Sequence, residues 1–219
     1  MLVILIIYLS NHLGQLKPLY GALGKMHKEM TLKIAVDIDG VLADQVAAVL
    51  REIEKKYGLV YSKSDVDRAH WTFEGKEVWE EISRLLSDPD YVMQVPIIDG
   101  SQKAIKKLSH HDIFVVTARK PHTEEATRRW LSAHFPSLKG YYWARTGTKH
   151  SVPSDVLIDD LDINIVEFVK SDPDRHGILF QHPWSLNGTG IEDYSSQVSY
   201  CPEWESVVKA IDSIDLSRQ

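Results

Sequence analysis

Cysteine is nearly absent from this chain. Cys201 is the sole one among 219 residues, so no internal disulfide can form, and a cysteine-rich metal site is excluded with it. A reducing, cytoplasmic setting is the expectation. Basic residues are also in deficit: 25 Lys and Arg stand against 31 Asp and Glu, a formal net charge of −6. That balance supplies no broad basic surface for a nucleic-acid backbone, so polymeric DNA or RNA is not an expected partner. The apolar stretch "LVILIIYL" near the start is far shorter than the roughly 20 residues a membrane-spanning helix needs, and no basic residue precedes it as in a secretory leader. No membrane association is expected. Met26 and Met30 lie just before the first convincing strand, so residues 1–30 are expected to be a disordered extension or a start-site artefact, with an extra helix or a degraded signal as alternatives. Internal repeats, heptad runs and low-complexity tracts are missing too.

What is present is enough apolar sequence, 43% of the chain, for one substantial core with an elaboration. From Leu32 onward, β-branched runs at 33–38, 113–117, 156–158, 177–180 and 197–200 alternate with one-sided helical patterns such as "SQKAIKKL", "EEATRRWLSAHF" and "EWESVVKAIDSI". This alternation predicts an α/β fold, a doubly wound, mainly parallel sheet covered by helices on both faces. Residues 45–98 break the rhythm, being too long for a single crossover helix. They carry one helix ended by Gly58 and another ended near Pro89, and are expected to form an inserted helical cap. The core would then comprise 31–44 and 99–219.

In open α/β sheets ligands gather beyond the carboxyl ends of the strands. Three apolar runs end there on reactive side chains: "IAVDIDG" on Asp37 and Asp39, "FVVTAR" on Thr117 and Arg119, and "VLIDD" on Asp159 and Asp160. Carboxylates crowded together raise each other's pKa unless a cation neutralises them, and Mg²⁺ suits an all-oxygen donor set that a phosphate can join.

The order of these motifs resembles the haloacid-dehalogenase superfamily, whose first motif DxDG(T/V) is here "DIDGV", whose second is Thr117 closing a strand, and whose fourth is the pair Asp159 and Asp160. The resemblance implies a Rossmann-type core and an aspartyl-phosphate mechanism. Asp37 would be the nucleophile, Asp39 the general acid and base, and Thr117 a holder of phosphoryl oxygen. Mg²⁺ would be bound by Asp37, by Asp39 through its carbonyl, and by Asp160 ahead of Asp159. The basic third-motif residue falls on Lys149, with Arg119, Lys120 and Arg128 as competitors and a solvated loop lysine as the bland alternative. Gly40, Val41, Ala118 and Arg119 are the substrate-binding positions implied beside these motifs.

Within the superfamily, "DGVLAD", a cap of about fifty residues, then "VPIIDGSQKAIKKL", "TAR", "TRRWL", "LIDD" and "ILFQHPWSLN" look most like the 5′(3′)-deoxyribonucleotidase group and its uncharacterised relatives. That group commonly has an aromatic where this chain has Gln45, Thr-Ser-Pro where it has Thr117-Ala118-Arg119, and a lysine where it has Thr127. In the cap, Trp71 and Phe73 are expected to offer a base-stacking face, whereas Trp79 is expected to pack in its helix. Asp44 is expected to cap the helix that follows, His110 and His111 to be exposed at a turn, and His182 with Trp184 to line the site entrance or to form a turn at Pro183.

The expected function is a Mg²⁺-dependent phosphomonoesterase, nucleotidase-like, with a small phosphorylated substrate such as a nucleotide as its partner. Alternatives are a phosphatase or phosphomutase acting on a sugar phosphate, or a phosphate-binding protein without turnover. A homodimer is compatible with either.

Overall fold

The strand KIAV (β1, Lys33–Val36) is buried on both faces, and its alternation sorts the interior into two layers. Ile34 and Val36 point into one apolar cluster and Ala35 into the other. The same division runs through β4 (Asp112–Thr117), where Ile113 and Val115 face one side and Phe114 and Val116 the opposite one. A period of two in a strand apolar on both faces is the pattern of a central parallel strand.

The computed structural model describes residues 31–68 and 70–218, so the expectation for residues 1–30 lies outside the described residues. Eight strands are found among them. The other members of the main sheet are β5 (Tyr141–Trp143), β6 (Val156–Asp159), β7 (His176–Phe180) and β8 (Val198–Cys201). Their spatial order is β5-β4-β1-β6-β7-β8, with every neighbouring pair parallel. Three-residue β5 went unread in the sequence because it is an edge strand with an aromatic, half-exposed surface instead of a buried apolar run.

Helices cover both faces, as expected for a doubly wound sheet. α4 (Ser101–Lys107), α5 (Glu124–His134) and α7 (Trp204–Ser217) supply Ile105, Trp130 and Ile211 to the cluster of Ile34. α6 (Asp162–Lys170) supplies Ile165 and Phe168 to the cluster of Ala35. His111, expected at the surface, is instead buried where α4 returns to β4, and its Nδ1 accepts from the Leu32 amide at 3.4 Å. No helix among the described residues is long and apolar enough to cross a membrane.

Between β1 and β4 the chain builds a smaller body. α1 (Gln45–Tyr57) starts at Asp44, whose carboxylate accepts from the Ala47 amide at 3.1 Å, and ends at Gly58 in the left-handed conformation. A short hairpin of β2 (Thr72–Phe73) and β3 (Lys76–Glu77) leads into α2 (Val78–Leu85), followed by the single turn α3 (Pro89–Val92). Val46, Val49, Ile53, Phe73, Val78 and Leu85 form an apolar cluster there that also takes in Trp184 from the segment after β7. Lys63 fastens the base of this body to Asp44 at 2.8 Å.

Candidate active site

Asp37 sits where β1 gives out. Its amide still donates to the Ile158 carbonyl of β6 at 2.9 Å, so the carboxylate is held at the end of the two central strands. Beyond it the Ile38 carbonyl accepts from the amides of Leu42 and Ala43, at 2.8 and 2.7 Å, and closes a tight loop. Gly40 in that loop has φ +79°, and a Cβ there would collide with the Asp160 carboxylate. Glycine is therefore required both by backbone conformation and by the approach of an acid from the neighbouring strand.

Lys149 lies at the centre of the acids. Its ammonium, 1% exposed, is 2.8 Å from Asp37 and 2.7 Å from Asp159. The loop that delivers it is tied down by Asn164, which accepts from the Gly147 amide at 2.6 Å and donates to Asp159 at 2.9 Å. Burial opposes the charge on Lys149, but Asp159 and Asp37 outweigh it and hold the ammonium above its usual range. Its competitors are engaged with other partners: Arg128 pairs with Glu124 at 2.7 Å, while Lys120 and Arg119, which line the same cleft, reach Ser87 at 3.0 Å and Asp39 at 2.7 Å.

Asp37, Asp159 and Asp160 bring one oxygen each within 4.8 Å of one another. Three carboxylates and one ammonium leave a formal −2, and the donor atoms are all hard oxygens, so the group fits a divalent cation. Burial, less Lys149 and plus Asp159 and Asp39, pushes the Asp37 carboxyl up to about 7; burial likewise raises Asp160 well above the carboxylate range. The two members of the pair differ. Asp159 is fully buried and occupied on both oxygens, by Lys149 on one and by Asn164 and the Leu161 amide on the other. Asp160 accepts from the Trp184 indole at 2.9 Å. His182 stacks on that indole at 4.3 Å and donates its Nε2–H to the Gly40 carbonyl at 2.7 Å. Burial lowers its pKa against the bond to the Gly40 carbonyl, and His182 braces the loop and Trp184.

The Asp39 carboxylate is outside this cluster. Both its oxygens are taken by Arg119, from Nε at 2.9 Å and Nη2 at 2.7 Å. Arg119 is in turn fixed by Thr127 at 3.4 Å, by its own amide on the Thr117 hydroxyl at 3.2 Å, and by the Trp143 indole on its carbonyl at 2.8 Å. Sequence reading treated Arg119 as a phosphate contact or a rival of Lys149; its grip on Asp39 was not foreseen. Thr117 is buried behind Arg119, while Val41 is buried with its carbonyl accepting from Trp204 at 3.0 Å.

Asp37, Asp39, Lys149 and Asp160 line a cleft of about 380 Å³, which Thr117, Val41 and Asp159 do not reach. Ala118 and Arg119 line it, as do Trp79, Ile82, Ser83 and Leu86, a stripe at i, i+3, i+4 and i+7 that begins on α2. Trp71 and Phe73 do not line it. Phe73 is buried in the smaller body's core with Tyr57 at 5.7 Å, and Trp71 lies against Phe73 at 6.2 Å and Tyr61 at 5.0 Å. Trp79 packs against the smaller body's apolar cluster with Ile82 and Leu86, as expected, and edge-on to Trp184 at 6.1 Å, yet it also lines the cleft, whereas Trp71 and Phe73 are taken up by Tyr61 and Tyr57.

The family model described as 5′ nucleotidase, deoxy (Pyrimidine), cytosolic type C protein matches residues 30–200. A protein of Staphylococcus epidermidis described as "Putative 5′(3′)-deoxyribonucleotidase" is 27% identical over 131 residues, 58% of this chain and 73% of its own. Among solved structures, a HAD family hydrolase from Deinococcus radiodurans R1, with bound phosphate and sodium, superposes with a TM-score of 0.55 at 12% identity, covering 86% of this chain and 98% of that one. A haloacid-dehalogenase-like hydrolase from Xanthomonas campestris gives 0.54 at 14% identity, over 88% and 100%. At such identities these two structures establish the shared fold.

Proposed function

The chain belongs to the 5′ nucleotidase, deoxy (pyrimidine), cytosolic type C family and is a phosphoric monoester hydrolase; from that premise we propose that it dephosphorylates a small phosphomonoester, a nucleoside monophosphate, through Asp37. The observation that carries this reading is Lys149, which lines a cleft large enough for such an ester, bridging Asp37 and Asp159.

Lys149 binds one oxygen of Asp37 and orients the other toward the cleft for in-line attack on phosphorus, giving an aspartyl-phosphate that water then hydrolyses. Asp39 gives a proton to the departing alkoxide and later takes one from the attacking water. An entering phosphate dianion offers Arg119 a second partner, which releases an Asp39 oxygen for that proton. Asp37 and Asp160, with Asp159 behind them, would hold Mg²⁺, which when bound neutralises charge on the phosphoryl oxygens. Trp79, Ile82 and Leu86 shield the leaving group from water, and Ser87, held by Lys120 at 3.0 Å and by His122 at 3.2 Å, fastens the lid over the cleft. The single, buried Cys201 fits a reducing cytoplasm.

The test is phosphate release from a panel of deoxynucleoside and sugar monophosphates with Mg²⁺, for the wild type and Asp37→Asn. The wild type is expected to turn over nucleotides best and the variant to lose at least a thousandfold. Equal turnover by the two would overturn the mechanism, and a preference for sugar phosphates the substrate class.

A further inference from the structure

One polar side chain in the cleft has no role in the chemistry above. Gln45 is the first residue of α1, and its backbone is held in place by Asp44, which both caps the helix at Ala47 and pairs with Lys63. Its side chain lines the cleft together with Asp37 and Asp39, yet the residue is only 4% exposed, and its Oε1 is buried without a hydrogen-bond partner among the described residues. A buried amide oxygen left in this state is destabilising, so in the working protein it is met by water or by a ligand that enters the cleft and displaces it.

The neighbouring groups define what that ligand is. The three cations that line the cleft are engaged, Lys149 by Asp37 and Asp159, Arg119 by Asp39 and Lys120 by the Ser87 hydroxyl. The facing wall is the apolar group Trp79, Ile82 and Leu86. Phosphate belongs with the cations and acids, so the part of the substrate left for Gln45 is the leaving group. It meets the aromatic and aliphatic side chains of Trp79, Ile82 and Leu86, with Ser83 among them, and the Gln45 oxygen as the buried acceptor in the lining that lacks a partner among the described residues. A sugar polyol would strand most of its hydroxyls against that wall; a flat group with an apolar face and a polar edge would not.

We propose that Gln45 is a specificity-determining residue whose carboxamide accepts a hydrogen bond from an N–H or O–H on the leaving group, so that the enzyme selects donor-bearing esters over donor-free ones. This deepens the proposed phosphatase reading and rests on it.

The experiment compares kcat/KM for the four deoxynucleoside 5′-monophosphates with that for phenyl phosphate, whose leaving group carries no donor, in the wild type, Gln45→Met and Gln45→Leu. The ratio of the best nucleotide to phenyl phosphate is expected to fall at least tenfold in both variants. Because the substitution removes an unpartnered buried oxygen, Gln45→Met is expected to melt no lower than the wild type, which separates lost recognition from lost folding. An unchanged ratio, or a parallel fall on both kinds of ester, would overturn the proposal while leaving the phosphatase reading intact. A wild type inert toward every ester would overturn both.

Discussion

Arg119 closes a two-point clamp on Asp39, bonding both carboxylate oxygens from a position eighty residues along the chain. The guanidinium side chain is 2% exposed and the carboxylate 22%, so the pair is anchored from the core side and open toward the cleft. A planar fork and a carboxylate match in geometry, and a lysine cannot reproduce the match.

Arg119→Lys is therefore expected to keep the charge and lose the orientation of Asp39. Turnover of the best substrate should fall by about 100-fold, the lower end of what a positioned acid–base group contributes. Steady-state kinetics check this. A variant with wild-type kcat would show that Asp39 needs no clamp.

Lys149→Met removes the positive charge shared by Asp37 and Asp159. Breaking a buried ion pair by removing one partner typically costs about 3–5 kcal/mol. Thermal melting should reveal a large loss without divalent cation. The site then carries one more uncompensated negative charge, so Mg²⁺ should bind more tightly and restore part of the lost stability, while turnover stays low. Calorimetric titration with Mg²⁺ decides it, and weaker binding than in the wild type would refute the electrostatic account.

Burial raises Asp37 from 3.8 to about 7. A carboxyl whose folded pKa lies above its unfolded value stabilises the fold most when protonated, so this contribution is full below pH ~4 and is lost as pH rises through about 7. A cation needs the ionised form and competes with that proton. Metal-free protein is thus expected to gain stability from this group between pH 8 and pH 5.5, and Mg²⁺ to bind more weakly, with greater proton release, at pH 6 than at pH 8. Titrations in buffers of different ionisation enthalpy measure both quantities. Proton-free binding at pH 6 would contradict the raised pKa.

Two aromatics of the smaller body, Phe73 and Trp79, are expected to behave oppositely. Phe73→Ala empties a buried position in the smaller body and should cost about 3–5 kcal/mol. Trp79→Ala removes the ring that lines the cleft and should chiefly raise KM for nucleotides, with a smaller change in melting temperature. Paired melting and kinetic data distinguish them, and a kinetic defect confined to Phe73→Ala would reverse the assignment of the wall.

The sheet and the acids at its edge were legible in the sequence because both are local. An apolar run records its own burial, and β1 ends next to Asp37 while β4 and β6 end on Thr117 and Asp159 themselves. Gly58 and Asp44 bound α1 within a few residues of the bonds they make. Edge strand β5 was not legible, since three half-exposed residues carry no burial signal.

By itself the sequence determined a parallel α/β core and an acidic strand edge suited to phosphoryl transfer. Tertiary structure alone decided which lysine stands between the acids, which oxygens of Asp159 are occupied, that Arg119 holds Asp39, and that Trp79 and Gln45 rather than Trp71 and Phe73 face the cleft. The physical reason is that each of these depends on where separate loops and helix faces meet. A side chain's neighbours along the chain fix its strand or helix, and its partners across the fold fix its role.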